Sequence, residues 1–230
     1  MKKPTINSIV TSGFKENLTS KKVRKLSSQL WLKRQLNDSY VMLAKKDGYY
    51  SRAAYKLLEI NEKYKIFKSN QNIIDLGGAP GGWSQVASQI IFKKNQNSNL
   101  IAIDLLPIKP VERAHLLQGD FSDINMINHI KELMGENKAN VVMSDMSPNT
   151  TGSKSLDHIK IMNLVEIAFN FATEVLAVDG VFIAKVFQGG TENILLAKIK
   201  KKFSKVEHFK PPASRKESNE IYLIAKGFKG

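Results

Sequence analysis

The chain has 230 residues, 42% of them hydrophobic, and 35 Lys and Arg against 21 Asp and Glu give a formal charge of +14. That length fits one domain with a full core, and so large a positive excess points to a polyanionic partner, nucleic acid first. Cysteine is absent, which excludes disulfides, thiolate metal sites and a cysteine nucleophile, and no run reaches the roughly 18 apolar residues of a membrane span.

In chain order, Met1–Thr11 lacks the apolar stretch of a secretory signal. Residues 1–50 hold eleven Lys and Arg against three acids, a net +8 of the +14. Trp31, Tyr40, Tyr49 and Tyr50 are interleaved with these cations. That mixture suits phosphate contact and base stacking, so residues 1–50 read as a basic RNA-binding extension. A solvated tail and an organelle transit peptide are the competing readings. Val23, Leu26, Leu30 and Trp31 recur at helical spacing, which predicts a helix over Lys22–Leu36.

From residue 51 to 230 strand and helix patterns alternate. Ser51 caps a predicted helix that runs to Lys63. Short apolar runs follow at Asn72–Leu76, Leu100–Ile103, Val141–Met143, Gly180–Val186, Val206–Phe209 and Ile221–Ala225. Helical stretches at Trp83–Phe92, Ile124–Met134, Ile159–Leu176 and Glu192–Lys202 separate most of them, and Lys93–Asn99 reads as a loop. Buried strands alternating with helices predict an α/β fold: a mostly parallel, Rossmann-like sheet with helices on both faces. Only the Pro211-Pro212 loop joins the last two strands, so the last strand should be antiparallel.

Ligands sit at the carboxyl ends of such strands. The first strand runs into Asp75-Leu76-Gly77-Gly78-Ala79-Pro80-Gly81-Gly82-Trp83. Four glycines let a ligand approach the backbone closely. The frame Gly77-x-Ala79-x-x-Gly82, with a proline inside, is a poor pyrophosphate cradle. It suits a ligand with adenosine and a carboxylate but no phosphate, S-adenosyl-L-methionine. Asp104 ends the second strand, where an acid accepts from ribose hydroxyls. Asp120, beside Phe121, follows Leu116-Leu117-Gln118-Gly119 and is placed to meet an adenine amino group. Asp145 ends the fourth strand. Lys185 stands inside an apolar strand, a costly place for a cation unless it is paired or functional. The four histidines (His115, His129, His158, His208) show no ligand spacing, so no metal is expected.

These segments, together with Ser51-Arg52-Ala53-Ala54-Tyr55-Lys56, Asp104-Leu105-Leu106-Pro107, Asp145-Met146-Ser147-Pro148-Asn149, Lys185-Val186-Phe187-Gln188-Gly189 and Ser214–Tyr222, resemble the FtsJ/RrmJ ribosomal RNA 2′-O-methyltransferases. The resemblance spans Tyr40–Gly227 and rests on seven ordered segments. It implies a methyltransferase sheet and a Lys-Asp-Lys-Glu tetrad, falling here on Lys56, Asp145, Lys185 and Glu220. It implies cofactor contacts from Gly81, Trp83, Asp104, Asp120 and Asp145. The implied reaction methylates a uridine ribose of large-subunit (23S) ribosomal RNA on the assembled subunit. A cytoplasmic monomer with no membrane association is expected. A transfer RNA or a messenger RNA cap is the alternative substrate.

A ribose hydroxyl must lose its proton near the moment of attack. Burial and a second nearby lysine both favour a neutral amine, so Lys185 is the expected base. Lys56 and Glu220 would orient the hydroxyl, and Asp145 would steer Lys185. Phosphate contacts are expected from Lys21–Lys25, Lys33, Arg34, Lys45, Lys46, Arg52, Lys210, Arg215 and Lys216.

Overall fold

The computed structural model describes residues 36–93, 97–148, 151–188 and 193–230. The basic extension up to residue 35, with all but the last residue of the helix expected at Lys22–Leu36, lies outside these, as do Asn149, Gly189 and Glu192.

Seven strands form one sheet: β1 (Asn72–Leu76), β2 (Asn99–Asp104), β3 (Ala114–Gln118), β4 (Ala139–Ser144), β5 (Leu176–Phe187), β6 (Phe203–Phe209) and β7 (Glu220–Phe228). Their spatial order is β3-β2-β1-β4-β5-β7-β6. The first five pair in parallel, and β7 lies antiparallel between β5 and β6. The helices are α1 (Ser39–Asp47), α2 (Ala53–Tyr64), α3 (Gly82–Ile91), α4 (Ile124–Met134), α5 (Lys154–Val175) and α6 (Asn193–Lys202).

The apolar runs are continuous because both faces of the sheet are covered. Ile74, Ile101, Val142 and Phe182 face one core, with Ile130 of α4, Val165 and Phe169 of α5 and Ile199 of α6. Their neighbours Ile73, Leu100, Val141 and Ile183 face the other, with Leu57 and Ile60 of α2 and Val86 and Ile91 of α3. The period of two thus splits one run between two cores.

Some boundaries move. The α5 helix begins five residues before the expected Ile159, and β6 begins at Phe203 rather than Val206. The larger difference is α1, nine residues inside the segment read as an extension. Its signals are its caps and one turn of helical spacing, Tyr40, Leu43 and Ala44. The Asp38 side chain accepts from Tyr40 N at 3.1 Å, and Gly48, at φ 78°, closes the other end. The helix packs on α2 through Ala44, Tyr40 and Tyr49, with the two tyrosine rings 5.4 and 5.7 Å from that of Tyr55.

Candidate active site

The glycine loop leaves β1 at the carboxyl edge of the sheet. Gly77 has φ 75°, and a Cβ there would strike the Met146 side chain. The chain can turn this tightly, under the loop after β4, only without a side chain. Beside it opens a cleft of about 760 Å³ whose lining includes Gly77, Ala79, Asp104, Asp120, Phe121 and Asp145. Leu105 and Leu106, exposed, stand at its edge.

The carboxylates of the cleft are oriented by backbone amides. Asp104 accepts from Ala79 N at 2.9 Å and from Leu106 N at 2.8 Å, one amide on each oxygen. Each oxygen keeps a lone pair for a hydroxyl donor. Asp120 Oδ1 accepts from Ser122 N and Oγ. Asp75, under the loop, is 1% exposed and accepts from Ser84 Oγ at 2.6 Å. Burial pushes its carboxyl up to about 7; Asp145 and Asp104 add to this, and Ser84 opposes it. A cleft of this size, with acceptors for hydroxyls and a backbone too crowded for side chains, fits an adenosine-bearing cofactor. Gly81 and Trp83 do not line it. The Trp83 ring is buried on the α2 side, where Nε1 donates to Ala53 O at 2.9 Å.

At the same edge, four elements bring the two lysines and two carboxylates together. Lys185 on β5 meets Asp145 beyond β4, with Nζ 2.9 Å from Oδ1 and 2.8 Å from the main-chain oxygen. Lys56 on α2 meets Glu220 at the start of β7, with Nζ 2.7 Å from Oε1. Tyr222 joins the pairs: its hydroxyl donates to Asp145 Oδ1 at 2.5 Å, and Lys56 Nζ lies 5.7 Å from its ring centre. The side chains of Lys185 and Lys56 are only 8% and 10% exposed. Burial alone would raise the carboxyl of Asp145, but Lys185 and Lys56, with the hydrogen bonds from Tyr222 and Lys185, hold it below the usual carboxylate range. Asp145 is therefore an anion at neutral pH. Burial, and then Asp145 and Glu220, keep the Tyr222 phenol protonated.

Tyr222 is the member that sequence reasoning passed over. It sits two residues from Glu220 on one strand, so both share a face. That spacing was the available signal. Three cations expected on phosphate have other partners. Arg52 and Arg215 both hold the Asp38 carboxylate, and Arg52 also donates to Ala213 O. Lys210 Nζ donates to the carbonyls of Lys216 and Ser218. Together with Glu59, which accepts from Ala213 N at 2.7 Å, they clamp the loop that delivers Glu220. Lys45 and Lys46 stand exposed on the last turn of α1.

Residues 49–228 match the FtsJ-like methyltransferase family. The chain is 54% identical over 220 residues to the ribosomal RNA large subunit methyltransferase E of Rickettsia akari (strain Hartford), covering 93% of this chain and 96% of that one. It is 52% identical over 206 residues to the enzyme of that name from Rhodopseudomonas palustris (strain HaA2), covering 90% and 87%. A solved structure from Plasmodium falciparum, described provisionally as a ribosomal RNA methyltransferase, superposes with a TM-score of 0.70 at 32% identity. It covers 79% of this chain and 100% of that one.

Proposed function

The chain belongs to the FtsJ-like methyltransferase family, and from that premise we propose that it methylates the 2′-oxygen of a ribose in large-subunit ribosomal RNA. The observation that carries the reading is the pair of buried lysine–carboxylate contacts beside the adenosine-sized cleft. The finer reading is a uridine of 23S RNA in the assembled large subunit, modified by a cytoplasmic monomer.

S-Adenosyl-L-methionine, when bound, would supply the methyl group as the electrophilic carbon of a sulfonium, the electrons of the broken carbon–sulfur bond staying on sulfur as a neutral thioether. Asp104, Asp120 and Asp145 would hold it. Gly81 and Trp83 would act behind the cleft by shaping the loop and tying α3 to α2. Lys185 takes the hydroxyl proton on Nζ as the new oxygen–carbon bond forms. An anion at Asp145 stabilises the ammonium so produced, which is what a base of this kind needs. Lys56 and Glu220, one donor and one acceptor held 2.7 Å apart, orient the hydroxyl. Alignment of the attacking oxygen contributes at least as much as the base.

The test is transfer of a tritiated methyl group to large subunits, their free RNA, transfer RNA and capped messenger RNA, followed by mapping of 2′-O-methyl positions. Labelling confined to a large-subunit ribose is expected. Lys185→Ala and Lys185→Arg should both lower transfer about 10²–10⁴-fold, since arginine keeps the charge but cannot act as base. Wild-type rates in either variant, or label on transfer RNA or cap alone, would overturn the reading.

A further inference from the structure

A second cleft, of about 340 Å³, lies on the outer side of α3, between that helix and residues 110–113, which precede β3. Gln85, Ser88, Gln89 and Phe92 form one wall, spaced as a single helical face. Both walls are pinned. Ser88 Oγ donates to Glu112 O at 2.7 Å, Tyr50 OH donates to Pro110 O at 2.7 Å, and Lys109 N donates to Pro80 O at 3.2 Å. The cleft is thus built in advance of any ligand.

Cations lie on aromatic rings at its rim and beside it. The Arg113 guanidinium is 5.6 Å from the Phe92 ring centre, with its Nε 3.7 Å from the Glu112 carboxylate, and next to the cleft Lys109 Nζ is 5.1 Å from the Tyr50 ring centre. Arg113 has φ 58°, left-handed backbone that a non-glycine residue seldom adopts. Such strain persists mainly where function needs the side chain in place. Tyr50 also joins this cleft to the cofactor loop: a Cβ on Gly81 would lie 2.9 Å from its ring. Cations, aromatic faces and amides with little apolar lining match nucleotide rather than a peptide or lipid.

We propose that this cleft seats a nucleotide of the RNA substrate several positions away from the methylated one, because Phe92 closes α3 and Arg113 leads into β3 at the amino edge of the sheet, a strand length from the buried charge pairs. Its base stacks on the Arg113–Phe92 pair. The Gln89 amide, whose Oε1 is held by Tyr49 OH at 3.0 Å, has two N–H donors for the base edge. Lys109 meets the phosphate. The proposal rests on the RNA methyltransferase reading given above.

Arg113→Gly separates binding from folding, because glycine adopts this φ without steric cost. With unmethylated large subunits, and with their free RNA, as substrate, the KM for RNA should rise about five- to tenfold, the low end for one stacked base. Thermal stability, cofactor affinity and kcat should hold. Phe92→Leu should act in the same direction, and Glu112→Gln, which removes a rim acid, should lower KM. RNA carrying 4-thiouridine at successive positions on either side of the methylated one should crosslink to the peptide that contains Arg113 from a position several nucleotides away. Unchanged KM in both Arg113→Gly and Phe92→Leu, or a crosslink from this cleft to a ribosomal protein instead of RNA, overturns the proposal. Absence of methyl transfer by the wild-type chain to any RNA would instead overturn the functional reading beneath it.

Discussion

At the β1–β3 end of the carboxyl edge, the polar groups of the cofactor cleft stand near solvent: Asp120 is exposed, and so is Leu105 at 68%. At the β4, β5 and β7 end, the charges are buried, with Lys185 and Asp145 only 8% and 16% exposed on their side chains. The first end presents loop carboxylates fixed by backbone amides. The second holds ions out of water, where each depends on its partner. Under the proposed function, the first should weaken when it loses a contact, while the second should lose activity and stability together.

The hardest blow to that contrast is Asp145→Asn. It removes the anionic partner that lies 2.9 Å from the buried Lys185 Nζ. Methyl transfer should fall about 10²–10⁴-fold, and urea unfolding should show a loss of about 3 kcal/mol. A variant inactive yet fully stable would show that the buried pair is not strained by losing a partner. Asp75 lies between the two ends, with Asp104 and Asp145 among the groups that raise it. Its unfolded value is near 3.8 and its folded value about 7. Over that window the folded state holds the proton more tightly, so stability falls as pH rises and levels off above about 7. From pH 5 to 8, unfolding free energies of wild type and Asp75→Asn should shift in favour of asparagine by about 3 kcal/mol; parallel curves would refute the raised carboxyl. At the open end, Asp104→Ala should weaken cofactor binding about tenfold by calorimetry, one charged hydrogen bond's worth. Transfer at saturating cofactor should change little, and a collapse in kcat would erase the distinction between the ends. The mildest change is Lys198→Ala. Lys198 and Glu166 are 2.9 Å apart, the same separation as Lys185 and Asp145, but their side chains are 54% and 42% exposed. Stability should move by less than about 0.5 kcal/mol, so burial rather than distance separates the two pairs.

Much of the sheet was legible in the sequence because parallel strands covered on both faces read as unbroken apolar runs. The antiparallel β7 followed from a connection too short for a helix crossover. The edge acids Asp104, Asp120 and Asp145 were legible from their place after strands. What stayed hidden depends on contacts between distant positions. Tyr222 meets Asp145 across 77 residues, and no local pattern reports that. Arg52 and Arg215 read as phosphate ligands because a sequence shows charge but not the carboxylate that absorbs it; both converge on Asp38. Helix α1 hid inside a basic stretch whose apolar face is short, Tyr40, Leu43 and Ala44, so its helical spacing covers barely one turn beside the caps.

The position of β7 governs when the buried charge pairs can form. It follows β6 in the chain, yet it lies inside the sheet between β5 and β6, with Lys185 opposite Tyr222 and Phe187 opposite Glu220. A nascent chain that has made everything up to β6 has its glycine loop but no Glu220 for Lys56 and no Tyr222 for Asp145. Insertion of that strand is thus a checkpoint for the buried charges: until it pairs with β5, Lys56 lacks Glu220 and Asp145 lacks the Tyr222 hydroxyl.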